Sequence, residues 1–358
     1  MVKALIIADD LTGALDSSVA FAERGMRVVV ALDPSHLEGA LGLEPDVLAV
    51  STGSREMSGD EAGAVVGSVC EIVGRFPGIL MKKVDSRLKG PIAAEVDVLS
   101  VNVPRPVLAA PAIPRLDRFV VDGAVTGAGV TDPIDVAAVL NRPVDIPDIR
   151  SDDDFDKILP DDLEGTLLVG AAGLAEAIAR KLVPLPPARH RPVLAAPVLA
   201  AIGSRDPVTL RQIAALDMDA IVIAPNGAVS KVEVQPLVIV RLTEGKEAIA
   251  PREAEKRFSG DICALVEELK PATLFACGGE SAAAILRRLG VGLLELKGEA
   301  LPGIPVSRAL DGPVGLVVVT KSGGFGEPDA LVRLFGGFSV TAKDIDNAPG
   351  SIAPGPAR

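Results

Sequence analysis

Leu5-Ile6-Ile7-Ala8-Asp9-Asp10-Leu11-Thr12-Gly13-Ala14 is the stretch that decides the fold. A short apolar run bounded by turn residues predicts a buried strand. The segment 13–24 that follows has helical apolar spacing, so the two carboxylates, the hydroxyl and the glycine sit at a strand-to-helix turn. The same alternation continues outward. Apolar, β-branched runs recur at 27–32, 47–50, 79–84, 106–109, 166–170, 198–202, 220–224, 237–240, 272–276 and 315–320. Helical spacing fills 60–73, 173–182, 207–216, 252–269 and 280–289. Fully apolar strands alternating with helices predict an α/β fold of mostly parallel sheets flanked by helices. Ligands of such sheets bind at the C-terminal ends of the strands, where Asp9 and Asp10 fall.

A length of 358 residues favours two domains. The connector Val183-Pro184-Leu185-Pro186-Pro187-Ala188-Arg189-His190-Arg191-Pro192 cannot continue a helix and marks the boundary. Domain one is expected over 1–185 and domain two over 196–345. The Pro- and Gly-rich segment 346–358 reads as a flexible tail. The acidic run Ser151-Asp152-Asp153-Asp154-Phe155-Asp156 reads as a helix start capped by Ser151 rather than a calcium loop, since no suitably spaced Gly and distal Glu follow.

Composition narrows the function. The net charge of −12, the absence of Tyr and Trp and the nine Phe argue against nucleic-acid binding, which needs phosphate neutralisation and stacking surfaces. Cys70, Cys263 and Cys277 form no C-x-x-C pair, so a reducing cytoplasm is expected. No apolar stretch reaches membrane-spanning length, and no signal peptide is read. The two histidines, His36 and His190, read as exposed loop residues, which disfavours Ser-His-Asp hydrolysis and His-ligated metals.

The polar strand ends carry the chemistry. In domain one they are Asp9–Asp10, Ser51-Thr52-Gly53-Ser54-Arg55 and Lys82-Lys83-Val84-Asp85-Ser86-Arg87-Leu88-Lys89-Gly90. Carboxylates accept from substrate hydroxyls and serve as general bases, although one aspartate could simply cap the following helix. The Arg55 fork suits a carboxylate. Lys83 suits a carboxylate or a transferring phosphoryl group. Arg87 and Lys89 add a local basic cluster that suggests an anion. In domain two the ends are Gly203-Ser204-Arg205-Asp206-Pro207, Cys277-Gly278-Gly279-Glu280-Ser281 and Thr320-Lys321-Ser322-Gly323-Gly324-Phe325-Gly326. Glycine turns opening helices suit phosphates, though there is no Walker A sequence. Lys321 is expected either at the β- or γ-phosphate or bonded to the carbonyls of the glycine loop.

This ordered set, from Ile6 to about Leu334, resembles the four-carbon acid sugar kinase family, which phosphorylates tetronates and 3-oxo-tetronates with ATP. The resemblance implies an N-terminal acid-sugar domain, a C-terminal nucleotide domain and a cleft between them. It implies substrate contacts at Asp9, Asp10, Arg55, Lys83, Asp85 and Ser86, with catalysis by Asp10, Asp85 and Lys83. It implies ATP contacts at Ser204, Gly278, Gly279, Glu280, Ser281, Gly323 and Gly324, to which the strand-end position adds Lys321. Mg2+ is expected with ATP, with no protein ligand singled out, and a homodimer is expected by base rate and family analogy. The chain departs from the family pattern where Arg87-Leu88-Lys89-Gly90-Pro91 replaces Thr-Leu-Arg-Gly-Asn and Glu280-Ser281 replaces Asp-Thr. It is also shorter between about 225 and 270. The alternatives are a non-catalytic nucleotide or sugar-acid sensor and a nicotinamide oxidoreductase; the latter lacks a G-x-G-x-x-G after the first strand.

Overall fold

The computed structural model describes residues 2–142, 144–185, 191–217 and 221–338. His190, much of the proline-rich connector and the tail lie outside the described residues. The N-terminal half runs β1 (Ala4–Ala8), α1 (Leu11–Ala22), β2 (Val28–Ala31), α2 (Leu37–Gly42), β3 (Val47–Ser51), α3 (Gly59–Val73), β4 (Ile79–Lys83), α4 (Ile92–Asn102), β5 (Val107–Ala110), β6 (Arg118–Val121), β7 (Ala124–Gly127), β8 (Ile134–Asp135), α5 (Val136–Leu140), α6 (Asp152–Ile158), β9 (Leu167–Gly170) and α7 (Ala172–Leu182). The C-terminal half runs β10 (Val198–Ile202), α8 (Pro207–Ala214), β11 (Ile221–Pro225), β12 (Leu237–Thr243), α9 (Pro251–Leu269), β13 (Thr273–Cys277), α10 (Gly279–Arg288), β14 (Leu293–Leu301), β15 (Ile304–Ala309), β16 (Val317–Lys321) and α11 (Ala330–Phe335).

Every apolar run named above forms a strand. Strands β2-β3-β1-β4-β9-β5 are hydrogen-bonded in that order, all parallel, with β1 central and fully buried. Strands β11-β12-β10-β13-β16 form a second parallel set. The expected two sheets are nevertheless one. The hairpin β14–β15 runs antiparallel to both neighbours and bridges them, β15 pairing with β16 and β14 with β2. At the seam Leu293 faces Ala31, Leu294 faces Val30 and Glu295 faces Val29. Glu295 takes ion pairs from Arg27, Lys297 and Arg308. Burial opposes its charge, but these three cations hold its carboxyl below the ordinary range. The hairpin closes on Pro302-Gly303, with Gly303 at φ +76°, the left-handed value a Pro-Gly turn demands at its second position.

The acidic run at 152–156 opens α6, and Asp154 accepts from the Ser151 backbone N–H and hydroxyl. No helix among the described residues is long and apolar enough to cross a membrane. Beneath the N-terminal sheet lies a polar knot. Lys82 Nζ donates to Glu95 Oε1 at 2.8 Å, both side chains fully buried, and Ser54 Oγ donates to the same oxygen. Thr52 joins Ser54 to the carbonyl of Ala8, so the knot ties α4, β4 and the end of β3 to β1. Breaking one partner of a buried pair leaves a stranded charge, whereas removing both does not. Lys82→Met is therefore expected to lose about 3–5 kcal/mol in denaturant melts, with Lys82→Met/Glu95→Leu recovering much of the loss; a double variant no better than the single would refute this account.

Candidate active site

The strand ends converge on one cleft of about 690 Å³. Asp10, Arg55, Lys83, Asp85 and Ser86 line it from the N-terminal half, and Ser204, Asp206, Gly279 and Ser322 to Gly324 from the C-terminal half. The domain-one motifs meet around the start of α1. Asp10 caps the helix, its Oδ1 accepting from the Gly13 N–H and its Oδ2 from Thr12 Oγ1, both at 2.8 Å. Asp9, 1% exposed, lies beneath Arg55. Arg55 grips both oxygens of Asp9, at 2.8 and 2.9 Å, and donates to Asp10 Oδ2 at 2.8 Å. Burial alone would raise the Asp9 carboxyl, but Lys83 and the Arg55 pair outweigh it and hold it below the ordinary range.

These contacts revise the expected division of labour. The Arg55 fork is closed on two carboxylates of the protein itself, because a guanidinium beside adjacent aspartates satisfies them first. Asp10 both caps α1 and lines the cleft, while Asp9 is nearly fully buried and borders only the neighbouring pocket. Lys83 Nζ donates to the Val84 carbonyl at 2.9 Å and lies 2.8 Å from where a Gly13 Cβ would sit. Asp85 Oδ2 accepts from the Arg87 N–H in a turn closed by Leu88 N–H to Asp85 O. Ser86 is buried and accepts from Arg118 Nη1 at 2.7 Å.

On the opposite wall three turns interlock. The N–H groups of Gly203 and Ser204 donate to Cys277 O, and that of Gly278 donates to Lys321 O. Gly278 sits at φ +107°, and no side chain caps α10. The first N–H groups of α10 are thus free for an anion. Gly279 faces the start of α1, where a Cβ would come within 3.1 Å of Thr12 Oγ1 and 3.3 Å of Asp10 Oδ2. The two helix N-termini therefore oppose each other across the cleft. Ser281 is buried at the Gly203 turn, and Glu280 is exposed and borders a neighbouring pocket with Arg55 and Arg287.

Lys321 corrects an expectation. It is fully buried and absent from the cleft wall, with Nζ donating to Thr209 Oγ1 at 3.0 Å and to the carbonyls of Ser322 and Gly323 at 3.1 and 3.3 Å. Burial lowers its pKa. As the last residue of β16 it points under the glycine turn and splints it, so of the two expected roles the structure realises the carbonyl-bonding one.

Among the cleft residues that escaped the sequence reading, two carry charge of consequence for the site. Asp16 is buried at the next turn of α1 below Thr12, and its Oδ2 accepts from Ser322 Oγ of the other half at 3.1 Å. Burial raises its carboxyl to about 7, with Lys83 only partly offsetting this. The i, i+4 spacing from Thr12 was the available signal. Arg118 starts β6, in the small antiparallel sheet β6-β7-β8, and only that non-local excursion brings it to the cleft.

Comparison with known proteins agrees with this architecture. Residues 4–135 match a family model described as a sugar-binding N-terminal domain. Residues 199–331 match one described as a nucleotide-binding C-terminal domain. A D-threonate kinase of Bordetella bronchiseptica is 30% identical over 92% of this chain and 95% of its own length. A D-threonate kinase of Cupriavidus necator is 28% identical over 91% and 96%. A solved structure from Salmonella typhimurium LT2 shares the fold, with a TM-score of 0.73 at 19% identity over 95% of this chain and 100% of that one. With relatedness spanning almost the whole chain, and both halves matching their respective models, the chain belongs to the four-carbon acid sugar kinase family.

Proposed function

We propose that this protein transfers the γ-phosphoryl group of ATP to a hydroxyl of a four-carbon sugar acid, with D-threonate the first acid to test. The observation that carries this reading is the single cleft in which Asp10, Lys83 and Asp85 face the free N-terminus of α10 and the glycine turn after β16. The half up to the connector, residues 1–185, would hold the acid, and residues 196–345 the nucleotide. The phosphates would lie on the N–H groups at Gly279 to Ser281 and on the Ser322 to Gly324 turn, with Ser204 beside it. A Cβ on Gly323 would strike Ser204 Oγ, so these two turns have to stay small.

Catalysis here is positioning and charge stabilisation. Asp85, held by the Arg87 N–H through one oxygen, accepts the proton of the attacking hydroxyl. Asp10 accepts from a second hydroxyl and fixes the acid in line. Among the described residues Lys83 Nζ donates only to the Val84 carbonyl, so its remaining donors are available to the developing charge on the transferring group. Arg55 acts through Asp9 and Asp10 by fixing their orientation. The cleft also accommodates the Mg2+ that ATP carries. Asp16 Oδ1 is buried without a hydrogen-bond partner beside Ser322, which suits a carboxylate holding water on such an ion. An ion held mainly by phosphate and water needs no cluster of three His, Cys, Asp or Glu, and none occurs among the described residues. When bound, magnesium neutralises β- and γ-phosphate charge.

ADP release with Mg-ATP and a panel of D- and L-threonate, D-erythronate and their 3-oxo forms is expected to show turnover on at least one acid. Asp85→Ala should lower kcat at least about 100-fold with the KM for ATP little changed; parallel loss of both would sink the assigned role. A second expectation concerns Asp16. Its folded-state pKa is raised, so its stabilising contribution is full below about pH 4 and lost as pH climbs to about 7. Asp16→Asn, always neutral, should melt above wild type at pH 8 by roughly 2 °C or more, with the gap narrowing at pH 5; a constant or reversed gap would contradict the buried charge.

A further inference from the structure

We propose that Arg87 and Arg118 together form the receptor for the carboxylate of the sugar acid. This rests on the kinase reading of the cleft and assigns it a specificity determinant. The Arg55 fork, the obvious carboxylate receptor, is already spent on Asp9 and Asp10. Arg87 and Arg118 also line the cleft, as does Arg211, and among the described residues Arg118 feels Asp85 and Asp206 without a direct carboxylate contact.

Their geometry is that of an anion site. Arg118 is anchored by two neutral acceptors, Nε donating to the Ala128 carbonyl at 2.8 Å and Nη1 to Ser86 Oγ at 2.7 Å. Those bonds fix the guanidinium plane and leave Nη2, beside Gly129, uncommitted. Arg87 stands against the same glycine, its Cδ 4.0 Å from where a Gly129 Cβ would lie. Its backbone is pinned by the Asp85 turn, with Leu88 buried behind it at φ +54°. Burial and then the neighbouring Arg87 charge depress the Arg118 pKa, so the two cations oppose each other at close quarters. Like charges held together cost free energy, which Asp85 and Asp206 offset only in part, and a ligand carboxylate placed between the two cations lowers it further.

The site is built on two separate pieces of backbone, the turn after β4 and the first residue of β6. It also places a negative group next to Ser86 and Asp85, at the acid-sugar end of the cleft. A guanidinium at position 87, opposite that of Arg118, makes the receptor two-sided. The consequence is selectivity for the acid over its uncharged counterparts.

The test compares D-threonate with its uncharged amide in wild type, Arg87→Met and Arg118→Met. Arg87→Met is the cleaner variant, because its side chain makes none of the anchoring hydrogen bonds that Arg118 makes. Each variant is expected to raise the KM for the acid on the order of 10- to 100-fold, with the KM values for the amide and for ATP nearly unchanged, so that the acid-to-amide preference collapses. Arg118→Lys should restore part of it. An acid-to-amide preference retained in both methionine variants would overturn the proposal. Should wild type turn over no acid, the kinase reading falls first, and calorimetric titration with D-threonate decides the receptor separately. It stands if wild type binds and both variants do not, and falls if all bind alike or wild type gives no heat.

Discussion

The end of β1 depends on the cations that close on it. Two adjacent aspartates, one almost fully buried, would repel each other and resist ionisation in that setting. Arg55, delivered by the loop after β3, takes both oxygens of Asp9 and one of Asp10. Lys83, from the other neighbour of β1, adds its field. The three central strands thus meet in a charge-compensated corner, and the start of α1 is held there with Asp10 already oriented. The N-terminal wall of the cleft is built on that corner. On the other side the order comes from Lys321, whose ammonium gathers the carbonyls of the glycine turn from below. One cation organises carboxylates and the other organises carbonyls, and neither needs to touch a ligand to matter.

Much of this was legible in the sequence. The apolar runs identified the parallel strands because strands buried on both faces have no polar alternation to confuse them. The glycine turns and the Asp-Pro helix start marked the strand ends that line the C-terminal wall of the cleft. The hairpin β14–β15 was not seen, because Gly298, Pro302, Gly303, Pro305 and several charges break up its apolar pattern, although Pro302-Gly303 is itself a turn signal. That omission hid the fusion of the two sheets. Position after a strand told which residues cluster, but not which way each points. Lys321 and Arg55 were placed in the right neighbourhood, yet their partners are groups of the protein, settled by local competition that a linear reading does not weigh. Arg118 is beyond such reading altogether, since a short excursion sheet carries it to the cleft from a segment with no motif.

The cleft also separates two kinds of small residue. Gly279 is small because another half of the molecule comes close to it, at Thr12 and Asp10. Gly278 is glycine because its backbone adopts a left-handed conformation. The first is a requirement of how the halves meet and the second a requirement of the turn itself. Together they explain how a helix N-terminus with free N–H groups can be brought against a capped one without side chains in between.

The seam between β14 and β2 has a bearing on how the chain is made. Strand β2, Val28-Val29-Val30-Ala31, is entirely apolar and buried, and among the described residues its outer edge pairs only with residues 293–295, from the C-terminal half. While the protein is being synthesised, the N-terminal half can assemble its parallel strands on the ribosome long before that cover exists. The nascent molecule must then carry a flat valine edge with unpaired backbone groups, the kind of surface that recruits other chains. The last-made half is in this sense the guardian of the first, and a ribosome stalled before the hairpin would release a sticky fragment rather than a working domain.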